Sequence, residues 1–111
     1  MPNPQICGTP IVSEFAADPD MRELVEFFVS ALPERVEALN AAFQEKRLRD
    51  LQRLAHQMKG AAGGYGFPTV GTAAATLEAT LKDSEDPALD RLKAELDALT
   101  NLCARASINP R

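Results

Sequence analysis

The stretch LAHQMKGAAGGYGFP, residues 54–68, separates two helical patterns in this 111-residue chain. It contains the single histidine, the single tyrosine and four of the six glycines. On both sides of it, apolar residues recur at three- and four-residue steps, which is the spacing of an amphipathic helix. The glycines interrupt this spacing, and Pro68 suits the first turn of a new helix. The stretch therefore predicts the end of one helix, a turn and the start of the next helix.

The first long helix is predicted to begin with Asp18 as N-cap and Pro19 in the first turn. Pro33 lies inside the periodic run and removes one backbone hydrogen bond. Because the apolar phase continues unshifted beyond Pro33, we predict one kinked helix rather than two. Its inward face is predicted to consist of Met21, Leu24, Val25, Phe28, Leu32, Val36, Leu39 and Phe43.

Three more amphipathic helices follow the first one. The second helix carries an apolar stripe that ends in the glycines, and the third begins at Pro68. The fourth is predicted to begin with Asp86 as cap and Pro87 in the first turn. The inward residues of these three helices are predicted to be Leu48, Leu51, Leu54, Ala55, Met58 and Ala62, then Val70, Ala74, Leu77 and Leu81, then Leu89, Leu92, Leu96, Leu99 and Cys103.

Four long amphipathic helices joined by short turns favour an all-α fold, an up-and-down antiparallel four-helix bundle. We also predict a short extra N-terminal helix at Val12–Ala16, preceded by an extended segment over residues 1–10. No segment shows the alternation that is typical of a strand. The predicted organisation is therefore a single bundle domain over residues 11–108.

Composition and charge argue against several classes of protein. The net charge is −4 with acidic and basic residues interspersed, so no basic stripe marks a surface for nucleic acid or an anionic membrane. No apolar run approaches the roughly 18 residues of a membrane span. The two cysteines, Cys7 and Cys103, lack the spacing of metal ligands. We expect a soluble cytoplasmic protein without a metal site. We also expect a monomer, because the apolar faces of the helices are buried within one bundle.

The single histidine is predicted to point away from the core. At about 100° per residue, His56 lies about 140° from Leu51, which is at the centre of the buried face. A lone surface histidine often has no function, and Gly63, Gly64 and Gly66 could simply mark a helix end. Gly60 is harder to explain in this way, because it stands earlier in the helix, where glycine costs about 1 kcal/mol relative to alanine. The neighbours of the histidine on this surface are predicted to be Arg49, Gln52, Lys59, Gly60 and Gly63.

This group of residues predicts a phosphoryl carrier. A neutral imidazole has one nitrogen with a free lone pair, which can attack phosphorus. Lys59 can offer its ammonium group to the phosphoryl oxygens, and bare backbone at Gly60 allows another molecule to approach closely. The sequence has no glycine-rich nucleotide loop, no second histidine and no nucleophile paired with a base. We therefore predict that His56 carries a phosphoryl group that partner proteins add and remove.

The same residues resemble the signature of the histidine-containing phosphotransfer (HPt) domains of two-component phosphorelays. The string LAHQMKGAAGGYGFPTVGTAAATLE is similar to their pattern, in which a lysine and a glycine follow the helical histidine by three and four residues and another glycine follows it by ten. The stretch DPDMRELVEFFVSALPERVEAL also resembles the preceding helix of that family, including its proline. The resemblance covers nearly the whole chain after residue 10. The matching positions are His56, Lys59, Gly60, Ala61, Ala62 and Gly66, and the pattern continues into the next helix at Val70, Ala74, Leu77 and Glu78.

The resemblance implies a four-helix bundle that is phosphorylated on Nε2 of His56, with Lys59 steadying the phosphoryl group. Gly60 would let the partner approach, and Gln52 and Gly63 beside it are expected to belong to the partner-binding surface. The partners would be receiver domains of response regulators or hybrid histidine kinases, which hold the aspartyl phosphate and Mg²⁺. No cofactor is expected on this chain.

Three alternatives differ from this hypothesis in one feature each. The dimerisation helix of a histidine kinase typically has an acidic residue directly after the histidine and a proline soon afterwards, where this chain has Gln57 and Gly60. A metal or haem carrier needs more ligands than one histidine without a Glu-x-x-His motif. A helical adaptor that binds receivers or other proteins without being phosphorylated stays open, and its binding would survive the substitution His56→Gln.

Overall fold

The computed structural model describes residues 11–83 and 87–107. The predicted extended segment over residues 1–10 and the predicted cap Asp86 lie outside this part of the chain, as does residue 108, the predicted end of the domain. The described residues form four α-helices, which confirms the predicted all-α fold. The helices are α1 at Pro19–Gln44, α2 at Leu48–Gly64, α3 at Pro68–Asp83 and α4 at Leu89–Arg105.

Helix α1 is continuous through its internal proline. Its N-cap is Asp18, whose carboxylate accepts a hydrogen bond at 2.9 Å from the backbone N–H two residues later, and Pro19 is its first residue. Pro33 lies inside this 26-residue helix. Leu32 and Leu39 on either side of it are buried in the same core, so packing of the apolar face offsets the hydrogen bond that proline removes. The predicted single helix and its N-terminal cap are confirmed.

A Schellman turn joins α2 to α3. Gly66 has a φ of +87°, and the N–H of Phe67 donates to the carbonyl five residues earlier at 2.8 Å. A β-carbon at Gly66 would lie 2.5 Å from Ser13 Oγ, so both the backbone conformation and the available space require glycine. Phe67 is fully buried and fixes the turn against the core. Gly63 and Gly64 belong to the last turn of α2, and the glycine that ends the helix follows them.

The segment before α1 does not form the short helix predicted at Val12–Ala16. Ile11–Val12 instead forms a two-residue strand, β1, which pairs in parallel with a second strand, β2, at Ala106–Ser107. The expectation that the chain contains no strand is therefore also wrong. The pairing joins the segment before the first helix to the segment after the last one.

Contacts with the α2–α3 turn explain why this segment, residues 11–17, is not helical; we call it the N-terminal strap. Ser13 Oγ donates to the carbonyl of Tyr65 at 2.7 Å, and the N–H of Glu14 donates to the carbonyl of Gly66 at 2.9 Å. A helix of about five residues is unstable by itself. The hydrogen bonds to the turn therefore decide the conformation of the strap.

Helices α2 and α3 run antiparallel and approach each other closely. Gly71 of α3 lies against α2, where a β-carbon added to it would be 3.4 Å from the carbonyl oxygen of Lys59 and 3.6 Å from the nitrogen of Gly63. Each helix also packs on the next one in sequence, and α1 packs on α4. The core formed between the helices consists of Val25, Phe28, Leu32, Leu39, Ala42, Leu51, Ala55, Met58, Ala62, Phe67, Val70, Ala74, Leu77, Leu81, Leu92, Leu96, Leu99 and Cys103.

Two leucines that were predicted to point inward are exposed. Leu24 is 49% exposed and Leu89 is 44% exposed. Leu24 lies about 100° from Val25 around α1, at the edge of the apolar stripe. Leu89 is the first residue of α4, whose N-cap is Ala88 without a side-chain hydrogen bond. The helix thus begins two residues after Pro87, the predicted start, and its first residue does not reach the core.

Replacing Gly66 by alanine is expected to destabilise the protein by about 2 kcal/mol or more, because left-handed backbone alone costs a non-glycine residue about 1–2 kcal/mol. The added carbon also collides with Ser13 Oγ. The matched control is Gly60→Ala, where the added carbon meets no described atom within 4 Å and the helix gains about 1 kcal/mol. Urea unfolding measures both changes. A Gly66→Ala protein as stable as the wild type would contradict the assigned turn.

Candidate functional site

His56 lies on the outward surface of α2, as the helical spacing predicts. Its side chain is 63% exposed, whereas Ala55 and Met58 of the same helix are buried in the core. These core residues fix the rotation of α2 about its axis. Helix geometry then turns the imidazole towards solvent.

A buried carboxylate of α3 orients the imidazole. His56 Nδ1 lies 2.7 Å from Glu78 Oε2, and the side chain of Glu78 is only 5% exposed. Glu78 belongs to the pattern that resembles the family, but its contact with the histidine was not predicted. The register of the two helices explains the contact: His56 stands seven residues before Gly63, Glu78 stands seven residues after Gly71, and a β-carbon on Gly71 would lie 3.6 Å from the nitrogen of Gly63. His56 and Glu78 therefore each stand two helical turns away from the place where the helices approach each other at these glycines.

Two lysines pair with the same carboxylate. Lys59 Nζ lies 2.7 Å from Glu78 Oε1, and Lys82 Nζ lies 3.2 Å from Glu78 Oε2. Lys59 follows His56 on α2, whereas Lys82 stands one turn after Glu78 on α3. Lys59 therefore lies beside the histidine, as predicted, and its partner in this structure is the buried glutamate.

These contacts keep Glu78 ionised and define the tautomer of the histidine. The hydrogen bond from Lys59 is the main reason that the pKa of Glu78 falls from 4.5 to about 2; burial acts in the opposite direction, and His56 and Lys82 lower the pKa further. An ionised carboxylate only accepts hydrogen bonds, so Nδ1 of a neutral His56 must carry the hydrogen. The lone pair of the ring is then on Nε2, the nitrogen away from Glu78.

An open groove with basic walls borders the histidine. Its volume is about 590 Å³. Gln52, one turn before His56, lies in this groove, close to its predicted place on the surface of α2. Arg49 also lies near its predicted place beside His56, whereas Arg53 was not predicted to belong to this surface. The lining residues are Arg49, Gln52, Arg53, His56, Glu78 and Lys82.

Bare backbone lies beyond His56 in the C-terminal direction of α2. Gly60 and Gly63 are exposed, and a β-carbon added to either would meet no described atom within 4 Å. The space over these glycines is therefore open. Neither the packing of the described residues nor a left-handed backbone requires glycine there.

The described residues contain neither a candidate membrane span nor a candidate metal-binding cluster. Within residues 11–83 and 87–107, no helix combines the length and the apolar character that a membrane crossing requires. In the same part of the chain, no three His, Cys, Asp or Glu side chains are grouped in a way that could hold a metal ion.

An all-α bundle that presents one oriented and exposed histidine has the architecture of a histidine phosphotransfer module. Comparison with family models gives a match to the Hpt domain over residues 23–102. The matched range includes all of α2 and α3 and most of α1 and α4. No curated protein and no solved structure matches the chain at the stringency applied. The chain belongs to the Hpt domain family, whose members carry phosphoryl groups on histidine in two-component signalling.

Protonation of Glu78 is expected to destabilise the protein in acid. Because its pKa is lowered from 4.5 to about 2 in the folded protein, the ionised carboxylate stabilises the fold above pH 4.5, and this contribution is lost as the pH falls towards 2. The variant Glu78→Gln should therefore lose less stability than the wild type over this range. Thermal unfolding at a series of pH values measures the difference.

The matched control for this experiment is Asp97→Asn, which removes an exposed carboxylate that pairs with Lys93 at 2.6 Å. Its stability is expected to follow that of the wild type through the same pH range. If the stability of the wild type and that of Glu78→Gln fall equally as the pH is lowered, the arrangement of charges around Glu78 is contradicted.

Proposed function

We propose that His56 accepts a phosphoryl group from the aspartyl phosphate of a receiver domain and passes it to a second receiver domain. The observation that carries this proposal is the hydrogen bond of His56 Nδ1 to Glu78 in an imidazole that is otherwise exposed. This bond holds the hydrogen on the inner nitrogen and leaves the lone pair on Nε2. Membership of the Hpt domain family supports the same function.

The transfer step forms one bond and breaks one bond. The Nε2 lone pair of His56 attacks phosphorus while the P–O bond to the aspartate of the partner breaks, and the electron pair returns to that carboxylate. The hydrogen on Nδ1 stays in place, so the ring becomes a cationic phosphohistidine. Glu78, ionised and hydrogen-bonded to Nδ1, stabilises this positive charge from the buried side. Transfer to the second receiver reverses the same step.

Lys59 and Lys82 have different tasks in this proposal. Lys59 is partly exposed, so its ammonium group can leave Glu78 and pair with the phosphoryl oxygens, where neutralising charge matters most. Lys82 stands on the same helix as Glu78 and keeps its contact with the carboxylate at 3.2 Å. Glu78 therefore stays paired, and keeps His56 in place, when Lys59 moves to the phosphoryl group.

The receiver is proposed to dock over the exposed surface of α2. Gly60 and Gly63 offer bare backbone that lets the partner come close to the histidine. Gln52 presents an amide on the other side of His56, where it can hydrogen-bond to the partner. The Mg²⁺ that accompanies an aspartyl phosphate is proposed to be held by the receiver, so the chain needs no cofactor of its own.

Phosphotransfer is expected to depend entirely on His56. The protein is mixed with receiver domains from the same genome that have been phosphorylated with acetyl phosphate, and its own phosphate content is followed with time. The wild type is expected to gain acid-labile, base-stable phosphate from at least one receiver. His56→Gln is expected to gain none, because an amide nitrogen has no free lone pair for the attack, whereas Gln57→Ala should behave as the wild type.

The alternative function, a helical adaptor, gives a different result in this experiment. An adaptor binds a receiver equally well with and without His56 and gains no phosphate. Calorimetric titration of the same receivers into the wild type and His56→Gln separates the two functions. Binding without transfer throughout the receiver set would replace the carrier function by the adaptor function.

Lys59→Gln is expected to slow transfer about tenfold, which corresponds to roughly 1.4 kcal/mol of transition-state stabilisation. Its comparison is Lys82→Gln, which removes the same charge from the same carboxylate but keeps the ammonium group of Lys59 beside His56, so its loss of rate should be smaller. Rapid-quench measurement of the transfer rate compares the two variants. Equal losses of rate would contradict the division of tasks between the lysines.

A further inference from the structure

We infer that the groove beside His56 is an electrostatic docking surface for an acidic face of the receiver, and that it sets the orientation of the docked receiver. The inference rests on the proposed function and adds which side of His56 meets the negative charges of the partner. Arg49 and Arg53 line the groove on the N-terminal side of the histidine. The bare backbone at Gly60 and Gly63 lies on the C-terminal side and brings no charge of its own.

The basic residues of α2 stand out against an acidic protein. The net charge of the chain is −4. Helix α2 contains three basic residues and one acidic residue, a formal charge of +2, whereas α1 contains two basic and five acidic residues, a charge of −3. Helix α3 contains one basic and two acidic residues, and α4 contains three of each. Of the four helices in the described part of the chain, α2 is the one with a positive charge.

The two arginines of the groove are available to a partner. Arg49 is exposed and forms no ion pair or hydrogen bond with any described residue. Arg53 is exposed, and its ion pair with Asp50 is long, at 3.6 Å. The arginines stand one turn apart, and Arg53 precedes His56 by three residues, so all three side chains lie on one surface of α2. They form a basic row that leads to the histidine.

A receiver that delivers a phosphoryl group presents negative charge where it meets this surface. Its aspartate holds the phosphoryl group, and carboxylates hold the accompanying Mg²⁺. Guanidinium groups match carboxylates in charge and in planar geometry. Arg49 and Arg53 therefore match the negative charges around the partner's aspartate. The exposed backbone at Gly60 and Gly63 leaves space for an uncharged part of the same partner. Because the two arginines lie on one side of His56, their attraction for the acidic face favours one orientation of the docked receiver.

The test measures transfer from a phosphorylated receiver as a function of its concentration, at low and high salt. The variant Arg49→Glu/Arg53→Glu is expected to raise the half-saturating concentration about tenfold at low salt, because electrostatic steering changes association rates by factors of about 10 or more. The limiting rate should change much less. Added salt should weaken transfer to the wild type, but transfer to this variant should depend much less on salt.

The matched control is Arg22→Glu/Lys93→Glu, which changes the net charge by the same amount outside the groove. It is expected to keep the half-saturating concentration and the salt dependence of the wild type. The neutral variant Arg49→Gln/Arg53→Gln should give an intermediate effect. Circular dichroism melting confirms that each variant is folded.

Two results overturn the inference. One is that Arg49→Glu/Arg53→Glu has the same half-saturating concentration and the same salt dependence as the control Arg22→Glu/Lys93→Glu. The other is a loss confined to the limiting rate, because the arginines would then act on the chemical step rather than on docking. If the wild type gains no phosphate at all, the proposed function fails. Calorimetric binding of the same receivers to His56→Gln, with and without the two arginine substitutions, then still decides whether the groove is a docking surface.

Discussion

The site depends on one buried carboxylate and on the three groups that pair with it. Glu78 is almost completely buried, and an unpaired charge in that position would be strongly unfavourable. His56 and Lys59 reach it from α2, and Lys82 reaches it from its own helix. The contacts that keep the carboxylate ionised therefore also join α2 to α3. The orientation of the imidazole and the packing of the two helices are maintained by the same interactions.

The register that brings these groups together originates at the turn between the two helices. Gly66 provides the left-handed backbone of the turn, and Gly71 lets α3 approach the backbone of α2. Two helical turns beyond that approach, the antiparallel helices place His56 opposite Glu78. The N-terminal strap supports the outer side of the turn through Ser13, which bonds to the carbonyl just before Gly66. A site on the surface of the bundle is thus positioned by backbone contacts at one end of it.

Sequence alone predicted the features that depend on spacing along a single helix. The four helices, the cap at Asp18 and the outward position of His56 follow from that short-range periodicity. The contact with Glu78 was missed because the two residues are 22 positions apart and meet only through the register of two helices. The helix predicted at Val12–Ala16 was wrong for a related reason, since contacts with a distant turn decide that conformation. The functions assigned to particular side chains require transfer measurements and stay predictions, namely those of His56, Lys59, Gln52, Gly60 and Gly63.

The histidine is anchored on one side and open on the other, and this division suits a carrier. On the buried side, Glu78 sets the tautomer of His56 and supplies the negative charge that compensates a positively charged ring. The folded chain provides both before a partner binds. The groove with Arg49 and Arg53 and the exposed backbone at Gly60 and Gly63 border the open side, and under the proposed function this surface meets a donor and an acceptor in turn. Under the proposed function and the inferred docking surface, the match between the charges of each receiver and Arg49 and Arg53 contributes to discrimination among receivers.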